Sequence, residues 1–250
     1  MKIHTVILAA GEGSRMLSNK AKSLQPLGGH SMLQRIYTTV KDISSETTFV
    51  VGYEKDAIIA ETKSFDGTIH IAEQKKAIGT SDAVKSALPS ITKPCNVLVL
   101  YGDVPLIKQD TLEKLITETK DGLTILSTII DSPHGYGRVK KDNEGYAQAI
   151  VEEKDASDSE KQIKEVFTGI LCCKKELLEE AINEVSNENA AGEYYLTDIV
   201  SIISTKGYKI NTCVVSNDEV KGANTKTELS ELEEIYRKMN AEDLLQKGVT

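Results

Sequence analysis

Apolar residues along this chain recur in two spacings, and the two alternate through the first hundred residues. Short β-branched runs predict strands at 3–9, 47–52, 68–72 and 96–101. Apolar residues at helical spacing predict helices between these strands, at 31–42, 54–64 and 80–90. Strands that alternate with helices form βαβ units with parallel strands. The pattern therefore predicts a Rossmann-like α/β fold around a mixed, mostly parallel sheet.

The pattern changes after a helix predicted at 110–119. Strand-like runs then follow closely, among them "LTILSTII", "YGRVKK", "GYAQAIVEEK" and "KEVFTGILCC", with a tight turn at 142–145. This spacing favours antiparallel pairing and predicts a smaller second lobe over the cleft. The remaining predicted elements are helices at 174–186 and 194–205, a strand at 208–215 and an amphipathic helix from about 226 to 247.

The ends of the predicted parallel strands are the expected place for chemistry. Open α/β sheets bind ligands beyond the carboxyl ends of their strands. In this chain those ends are occupied by Gly11, Gly52 and the pair Gly102–Asp103. We expect these three points to meet at one edge of the sheet.

Composition and charge narrow the class of protein. The 250 residues carry a net charge of -8, and the 30 basic residues are scattered, which argues against nucleic-acid binding. No signal peptide opens the chain and no apolar run is long enough for a membrane span, so a cytoplasmic protein is predicted. The four cysteines lack metal-site spacing, which favours buried reduced thiols over a metal or redox role.

The segment "VILAAGEGSRM" at residues 6–16 predicts a strand followed by a glycine-rich phosphate-binding turn. Met16 stands where a Walker A loop or a dinucleotide fingerprint requires a small residue, so neither motif is present. The loop does carry two cations, Arg15 and Lys22. Fixed cations beside backbone N–H groups suit a triphosphate attacked at its α-phosphorus. A tight turn with solvated surface cations is the alternative.

Four stretches together carry a resemblance to a known family. They are "LAAGEGSRM" with the later Lys22, "YGDVPLI" at 101–107, "GYGRV" at 135–139 and "GEYYLTDI" at 192–199. The chain resembles sugar-1-phosphate nucleotidylyltransferases, and among them the uridylyltransferase domains of bacterial bifunctional N-acetylglucosamine-1-phosphate enzymes. The resemblance runs in order over nearly the whole chain. It implies Mg²⁺-dependent formation of UDP-N-acetylglucosamine and pyrophosphate from UTP and N-acetylglucosamine 1-phosphate.

The resemblance also implies roles for individual residues. Arg15 and Lys22 would be the catalytic cations beside the UTP phosphates, and Asp103 and Asn224 would bind Mg²⁺. The implied nucleotide-binding residues are Leu8, Ala9, Ala10, Gly11, Gly13, Gln74, Gly79, Thr80 and Tyr101. The implied sugar-binding residues are Gly137, Glu152, Phe167, Thr197 and Asn224.

The same resemblance predicts how the chain is divided. A nucleotidylyltransferase domain would span 1–226, with its nucleotide-binding part at about 1–108 and its antiparallel sugar-binding lobe at about 122–215, and the C-terminal helix would follow at 227–250. Hexapeptide repeats are absent, so we expect no β-helix acetyltransferase domain. Since the family's trimer forms mainly through that half, we expect a monomer. UTP and a sugar 1-phosphate are the expected partners, with neither nucleic acid nor membrane.

Four departures from the family's pattern leave alternatives open. Ala21 replaces a proline before the catalytic lysine, and near the expected uracil site Ile71 replaces a glutamine and Ser81–Asp82 replaces Gly–His. Phe167 replaces an asparagine expected at the sugar. These changes leave open another sugar phosphate or nucleotide as substrate, and also a nucleotide-sugar binding protein with little turnover. We expect that changing Phe167 to asparagine raises activity with N-acetylglucosamine 1-phosphate.

Overall fold

The computed structural model describes residues 2–120 and 122–249. Met1, Asp121 and Thr250, which fall within or beside the predicted domain ranges, lie outside the described residues. The strands are β1 (Ile3–Leu8), β2 (Pro26–Leu27), β3 (His30–Ser31), β4 (Glu46–Val51), β5 (Ile69–Glu73), β6 (Asn96–Tyr101), β7 (Leu123–Ile129), β8 (Arg138–Lys141), β9 (Ala147–Val151), β10 (Glu165–Lys174) and β11 (Asn211–Val215). The helices are α1 (Met32–Val40), α2 (Lys55–Thr62), α3 (Thr80–Ala87), α4 (Gln109–Glu118), α5 (Lys175–Glu184), α6 (Asp198–Thr205), α7 (Asn217–Val220) and α8 (Lys226–Gln246).

One central sheet organises the molecule. Its strand order is β11-β7-β10-β6-β1-β4-β5 over the described part of the chain. β1 is parallel to β4 and β6, and β4 is parallel to β5. Helices connect these strands because parallel neighbours need a crossover. The predicted mixed and mostly parallel α/β sheet is confirmed.

The strands of the second half extend this sheet. β10 runs antiparallel to both β6 and β7, and β11 pairs parallel with β7. The β8–β9 hairpin leaves the row of strands and joins it through the pair Val166 and Arg138. Gly145, at a φ of +89°, closes the predicted turn of this hairpin. The predicted antiparallel strands are therefore present, with β7 and β10 in the row of the central sheet and the β8–β9 hairpin off that row.

Apolar clusters cover both faces of the sheet. One joins α3, α5 and α6 to one face, and the other joins α1, α2 and α4 to the opposite face. Cys172 and Cys173 alternate between the two clusters along β10 and are fully buried, as predicted, and Cys213 is buried too, whereas Cys95 is only partly buried. Burial raises the pKa of the Cys172 thiol to about 12. The thiols of Cys172 and Cys173 are therefore inert packing groups.

A third apolar cluster attaches the C-terminal helix. Leu232 of α8 packs with Leu27, Met32 and Leu106, and Arg35 lies 4.0 Å from the centre of the Tyr236 ring. The helix predicted from about 226 to 247 is present at Lys226–Gln246, with Leu232 as its buried residue. Its apolar residues contact the β2–β3 hairpin and the loop after β6, so α8 begins beside the carboxyl ends of the sheet strands.

The prediction was wrong for the start of one helix. Helical spacing predicted 194–205, whereas α6 begins at Asp198. The backbone of the preceding residues bonds elsewhere, since Tyr194 N–H donates to Ile78 O and Ser81 N–H donates to Tyr194 O, each at 2.9 Å. A segment that uses its backbone groups in this way cannot also form a helical turn.

No helix in the part of the chain that the structure describes has both the length and the apolar character to cross a membrane.

Candidate active site

A cavity of about 270 Å³ opens at the carboxyl ends of β1 and β6. This is the edge at which the sequence places Gly11, Gly102 and Asp103. The predicted residues that line the cavity are Leu8, Ala9, Ala10, Gly11, Lys22, Gln74, Gly79, Thr80, Tyr101 and Asp103. The structure therefore brings together the two ends of the predicted nucleotide site, from the glycine-rich loop to α3.

The glycine-rich loop is held by a buried anchor and by close packing. Met16 lies in a single 3-10 turn, Ser14–Met16, and is 1% exposed. Gly13 precedes that turn at a φ of +62°, and a Cβ placed on it would lie 2.7 Å from the Lys22 Cβ. Only glycine combines this backbone conformation with that approach. The loop therefore folds back onto Lys22.

Lys22 stands between the two predicted metal ligands. Its ammonium group donates to Asp103 Oδ2 and, at 3.1 Å, to Asn224 Oδ1. The side chains of Lys22 and Asp103 are 18% and 14% exposed. A partly buried ion pair of this kind orients both groups. Residues separated by about 200 positions in the chain are thus joined at one point of the cavity wall.

Asn224 is positioned by the start of α8. The backbone N–H groups of Asn224 and Thr225 both donate to Glu228 Oε2, and Thr225 Oγ1 accepts from the Glu228 N–H at 3.1 Å. This capping box satisfies the otherwise unpaired N–H groups at the helix start. The backbone N–H of Ala223 also donates to Asp103 O at 3.3 Å. The first turn of α8 is therefore tied to the end of β6.

The donor set at Asp103 fits a weakly held Mg²⁺. One carboxylate and one amide oxygen are hard ligands of the kind that Mg²⁺ takes, with water and phosphate completing its octahedron. The described residues contain no group of three or more His, Cys, Asp or Glu placed to hold a metal. The oxygens of Asp103 and Asn224 already accept bonds from Lys22, so a metal ion would compete with that ammonium group for them.

The opposite wall of the cavity is formed by the loop before α3. Gln74 Nε2 donates to Gly79 O at 2.9 Å and to Asp82 Oδ2 at 3.0 Å. Gly79 has a φ of +138°, and a Cβ placed on it would lie 2.3 Å from Tyr194 O. Thr80 Oγ1 accepts a hydrogen bond from the Leu196 N–H at 3.0 Å. Residues 78–81 are therefore clasped by the segment 194–196.

Tyr101 forms the floor between the two walls. Burial raises the pKa of its phenol well above the ordinary value, with a smaller opposing effect from a hydrogen bond with Thr80. Gly169 approaches the ring so closely that a Cβ would lie 2.5 Å from Tyr101 Cε2. The phenol therefore stays neutral and can take part only as a hydrogen-bonding group.

Three of the five predicted sugar-binding residues lie against one another and are not among the residues that line the cavity. Thr197 Oγ1 donates to Glu152 Oε1 at 2.9 Å, and a Cβ on Gly137 would lie 3.3 Å from the same oxygen. Burial raises the pKa of the Glu152 carboxyl, and the bond from Thr197 opposes that shift. Gly137, Glu152 and Thr197 thus meet at one place. A half-buried carboxylate with one neutral donor retains the capacity to accept hydrogen bonds from a ligand.

Phe167 and Arg15 have surroundings that differ sharply. Phe167 is 6% exposed and packs in the apolar cluster, while its backbone N–H donates to Gly137 O at 2.9 Å. Arg15 is exposed, and its guanidinium has no partner among the described residues. The Phe167 ring therefore belongs to the apolar core, whereas the Arg15 side chain remains available to a ligand.

Sequence reasoning missed some residues of the site. Glu193 and Ser23 line the cavity, and Asp82 holds Gln74. Glu193 lies inside the quoted stretch "GEYYLTDI", but nothing in its spacing separates it from a surface acid. Asp82 was noted only as part of the Ser81–Asp82 replacement, and its place in the first turn of the helix that follows Gly79 did not reveal its bond to Gln74.

Comparison with known proteins covers the whole chain. The profile of the MobA-like NTP transferase domain matches residues 5–137. The bifunctional protein GlmU of Marinobacter nauticus is 41% identical over 99% of this chain, and that of Francisella philomiragia is 42% identical over 100%. Each alignment covers 55% of the relative. The chain therefore spans about half the length of these curated relatives.

A solved structure shares the fold. It is a crystal structure from Bacillus anthracis that carries the name glucose-1-phosphate thymidylyltransferase and contains sucrose. The two chains superpose with a TM-score of 0.75 at 21% identity, covering 94% of this chain and 95% of the other. The likeness extends over the central sheet and its flanking elements alike, because so little of either chain is left unmatched.

Proposed function

The chain belongs to the MobA-like NTP transferase family, and from that premise we propose that it transfers a uridylyl group from UTP to N-acetylglucosamine 1-phosphate. The products are UDP-N-acetylglucosamine and pyrophosphate. The similarity to bifunctional GlmU proteins at 41% and 42% identity supports this choice of substrates. It covers the sugar-side residues as well as the nucleotide-side residues of this chain.

One observation carries the proposal most directly. Lys22 projects into the cavity beside the glycine-rich loop and is bonded to both Asp103 and Asn224. A protein that only binds a nucleotide sugar has no need for a cation held between two hard oxygen ligands. Transfer at an α-phosphorus does need it, because negative charge grows on the oxygens around the phosphorus in the transition state.

The reaction requires positioning more than proton transfer. An ionised phosphate oxygen of the sugar phosphate attacks the α-phosphorus of UTP, and the bond from that phosphorus to the bridging oxygen of pyrophosphate breaks. The attacking oxygen is already deprotonated, so no general base is required. Lys22 would stabilise charge on the transferring phosphate, and Arg15, which has no partner among the described residues, would contact the departing pyrophosphate.

The proposed cofactor is Mg²⁺, held by Asp103 and Asn224. When bound, the ion would neutralise charge on the phosphate oxygens. Lys22 bonds the same two oxygens in the structure. Nucleotide phosphates would attract the Lys22 ammonium group and so leave Asp103 and Asn224 available to the ion. We therefore expect the protein to bind Mg²⁺ weakly by itself and more tightly with UTP.

The sugar would lie against the second group of residues. The carboxylate of Glu152 and the hydroxyl of Thr197 are already hydrogen-bonded to each other and lie next to Gly137. Glu152 would accept hydrogen bonds from sugar hydroxyls or from the acetamido N–H. Gly137 would keep this space open, because any side chain there would collide with Ile150 Cγ2 at 2.6 Å.

The test is pyrophosphate release by the full chain, measured with Mg²⁺ over four nucleoside triphosphates and several sugar 1-phosphates. We expect the largest kcat/KM with UTP and N-acetylglucosamine 1-phosphate. Removing Mg²⁺ with a chelator should abolish turnover. Asp103→Ala should lower kcat by about 100-fold or more, since one group that contacts the transition state is commonly worth that much.

A matched substitution controls for the loss of an acid. Asp110→Ala removes an exposed carboxylate from the first turn of α4, close to Asp103 in the chain, and should leave the rate unchanged. No pyrophosphate with any substrate pair would favour a nucleotide-sugar binding protein instead. A different preferred pair would identify another sugar phosphate or nucleotide, and full activity in Asp103→Ala would refute the assigned metal ligand.

A further inference from the structure

The side-chain amide of Gln74 is held in one orientation. Its Nε2 carries two protons and has two partners, the backbone oxygen of Gly79 at 2.9 Å and Asp82 Oδ2 at 3.0 Å. Both partners are acceptors, so they can pair only with the nitrogen of the amide. Both donor positions are therefore used inside the protein.

The remaining atom of that amide is an acceptor. Gln74 lines the cavity, and its Oε1 accepts no hydrogen bond from the described residues. Turning the amide round would place Oε1 against Gly79 O and the Asp82 carboxylate. Two oxygens in contact without a proton between them repel each other, and the Asp82 charge increases that repulsion. Gln74 therefore offers the cavity an oxygen and no N–H group.

We propose that Asp82 is a positioning residue for nucleobase selection, because it holds Gln74 as an acceptor that pairs with a pyrimidine bearing a proton on N3. This inference rests on the proposed nucleotidylyl transfer and assigns the base preference of that site to one residue outside the cavity lining. Asp82 lies in the first turn of α3, at a helix start where a carboxylate is also favoured by the helix dipole.

Uracil and cytosine differ in the hydrogen-bonding group that they present at N3. Uracil has an N–H at N3, which can donate to Gln74 Oε1, whereas cytosine has a bare nitrogen at N3 that is itself an acceptor. Cytosine would therefore place an acceptor opposite an acceptor. UTP and CTP have the same ring size, so the comparison isolates hydrogen bonding from steric fit. A site built for one hydrogen-bonding pattern rejects a ligand that leaves its polar groups unpaired.

The experiment measures kcat/KM for UTP and for CTP with the sugar phosphate held constant. Asp82→Ala leaves the amide with one of its two bonds, and the ratio of UTP to CTP should fall roughly tenfold. The change should lie mainly in KM for the nucleotide. Asp82→Asn keeps a side-chain oxygen of the same size and should recover most of the ratio. Asp56→Ala, which removes an exposed acid from the first turn of α2, is the matched control and should leave the ratio unchanged.

These measurements test the positioning role of Asp82 separately from the proposed nucleotidylyl transfer. An unchanged ratio in a folded Asp82→Ala protein would overturn the positioning role. Asp82→Asn as poor as Asp82→Ala would also overturn it, since charge rather than an acceptor would then be responsible. A wild-type protein that is inactive with every substrate pair would end the proposed function alone, because direct titration with UTP and CTP measures the same preference without turnover.

Discussion

Side chains in this site differ in how firmly hydrogen bonds to their neighbours hold them. Lys22 is held by two oxygens, and Gln74 by two acceptors. Arg15 is exposed and has no partner among the described residues. Groups fixed before the ligand arrives lose little entropy when it binds. On the proposed nucleotide side, Lys22 and Gln74 are therefore fixed in advance, while Arg15 would be ordered only by a bound ligand.

Phe167 is the residue for which the structure changes an expectation most. Asparagine at this position was expected to restore a sugar contact, but the ring is 6% exposed inside an apolar cluster. Phe167→Asn would leave a cavity and bury an amide. We expect unfolding to become easier by about 3 kcal/mol or more. We therefore expect no gain in activity with N-acetylglucosamine 1-phosphate, since the amide would lie in the apolar cluster and not at the sugar.

Denaturant unfolding beside steady-state kinetics checks this prediction. Phe167→Leu keeps an apolar side chain and should cost only about 1 kcal/mol, which separates burial from identity of the side chain. A Phe167→Asn protein of wild-type stability with higher kcat/KM would show that position 167 faces the sugar and not the core.

Two chain segments, rather than single residues, form the cavity wall opposite the glycine-rich loop. Residues 78–81 and 194–196 exchange backbone hydrogen bonds at 2.9 Å, and Thr80 adds a third bond to Leu196. The second segment leads directly to Thr197, which bonds Glu152. The hydrogen bonds between these two segments therefore connect the proposed nucleotide side to the proposed sugar side.

Gly79→Ala tests the close packing of residues 78–81 against residues 194–196. The φ of +138° is unfavourable for alanine, and its Cβ would lie 2.3 Å from Tyr194 O. The two effects together should destabilise the protein by about 2–4 kcal/mol and weaken UTP binding. Gly145→Ala is the matched control, since its φ is +89° and a Cβ there has nothing within 4 Å. The control should cost only about 1 kcal/mol by denaturant unfolding. An equal loss of unfolding free energy in the two variants would contradict a steric role for the contact between Gly79 and Tyr194.

For the whole molecule, the elements set by local pattern were predictable and those set by tertiary contacts were not. The strands of the parallel half lie within one or two residues of their predicted ranges, because each is a short apolar run bounded by turns. β2 and β3 have two residues each and carry no periodicity. The start of α6 depended on bonds to a segment more than 100 residues away, which no local spacing contains.

The site divides in the same way. Parallel topology predicted where Gly11 and Asp103 would meet, and the resemblance predicted that Lys22 and Asn224 would join them. The bond from Gln74 to Asp82 was not predictable, because it depends on how α3 is rotated against β5. Phe167 was identified as a departure from the family, but its burial follows from the packing of β10 against the β8–β9 hairpin.

The end of the sheet away from the cavity contains a buried histidine. His4 lies near the start of β1, is 4% exposed and bonds Thr48 Oγ1 at 2.7 Å through Nε2. Burial lowers its pKa from 6.5 to about 4; Glu46 opposes the shift and the nearby His70 adds to it. His70 stacks on His4 and bonds Glu46, which Lys93 also contacts. The folded protein therefore keeps His4 neutral at pH values where the unfolded chain protonates it.

Stability should consequently fall as the pH is lowered from about 6.5 to about 4, because the unfolded state binds one more proton throughout that window. The full effect of His4 is about 3 kcal/mol. Denaturant unfolding at several pH values should show that stability depends less steeply on pH in His4→Gln, which has no group that titrates there. His30→Gln, at an exposed position, should keep the wild-type dependence.

An unchanged pH dependence in His4→Gln would mean that the acid sensitivity comes from the carboxylates, and in particular from Glu46, whose pKa is lowered first by its bond with His70. Ionised Glu46 stabilises the folded state, and this stabilisation is lost only below the ordinary glutamate pKa of 4.5. Measurements between pH 5 and 6.5 therefore separate the effect of His4 from that of Glu46.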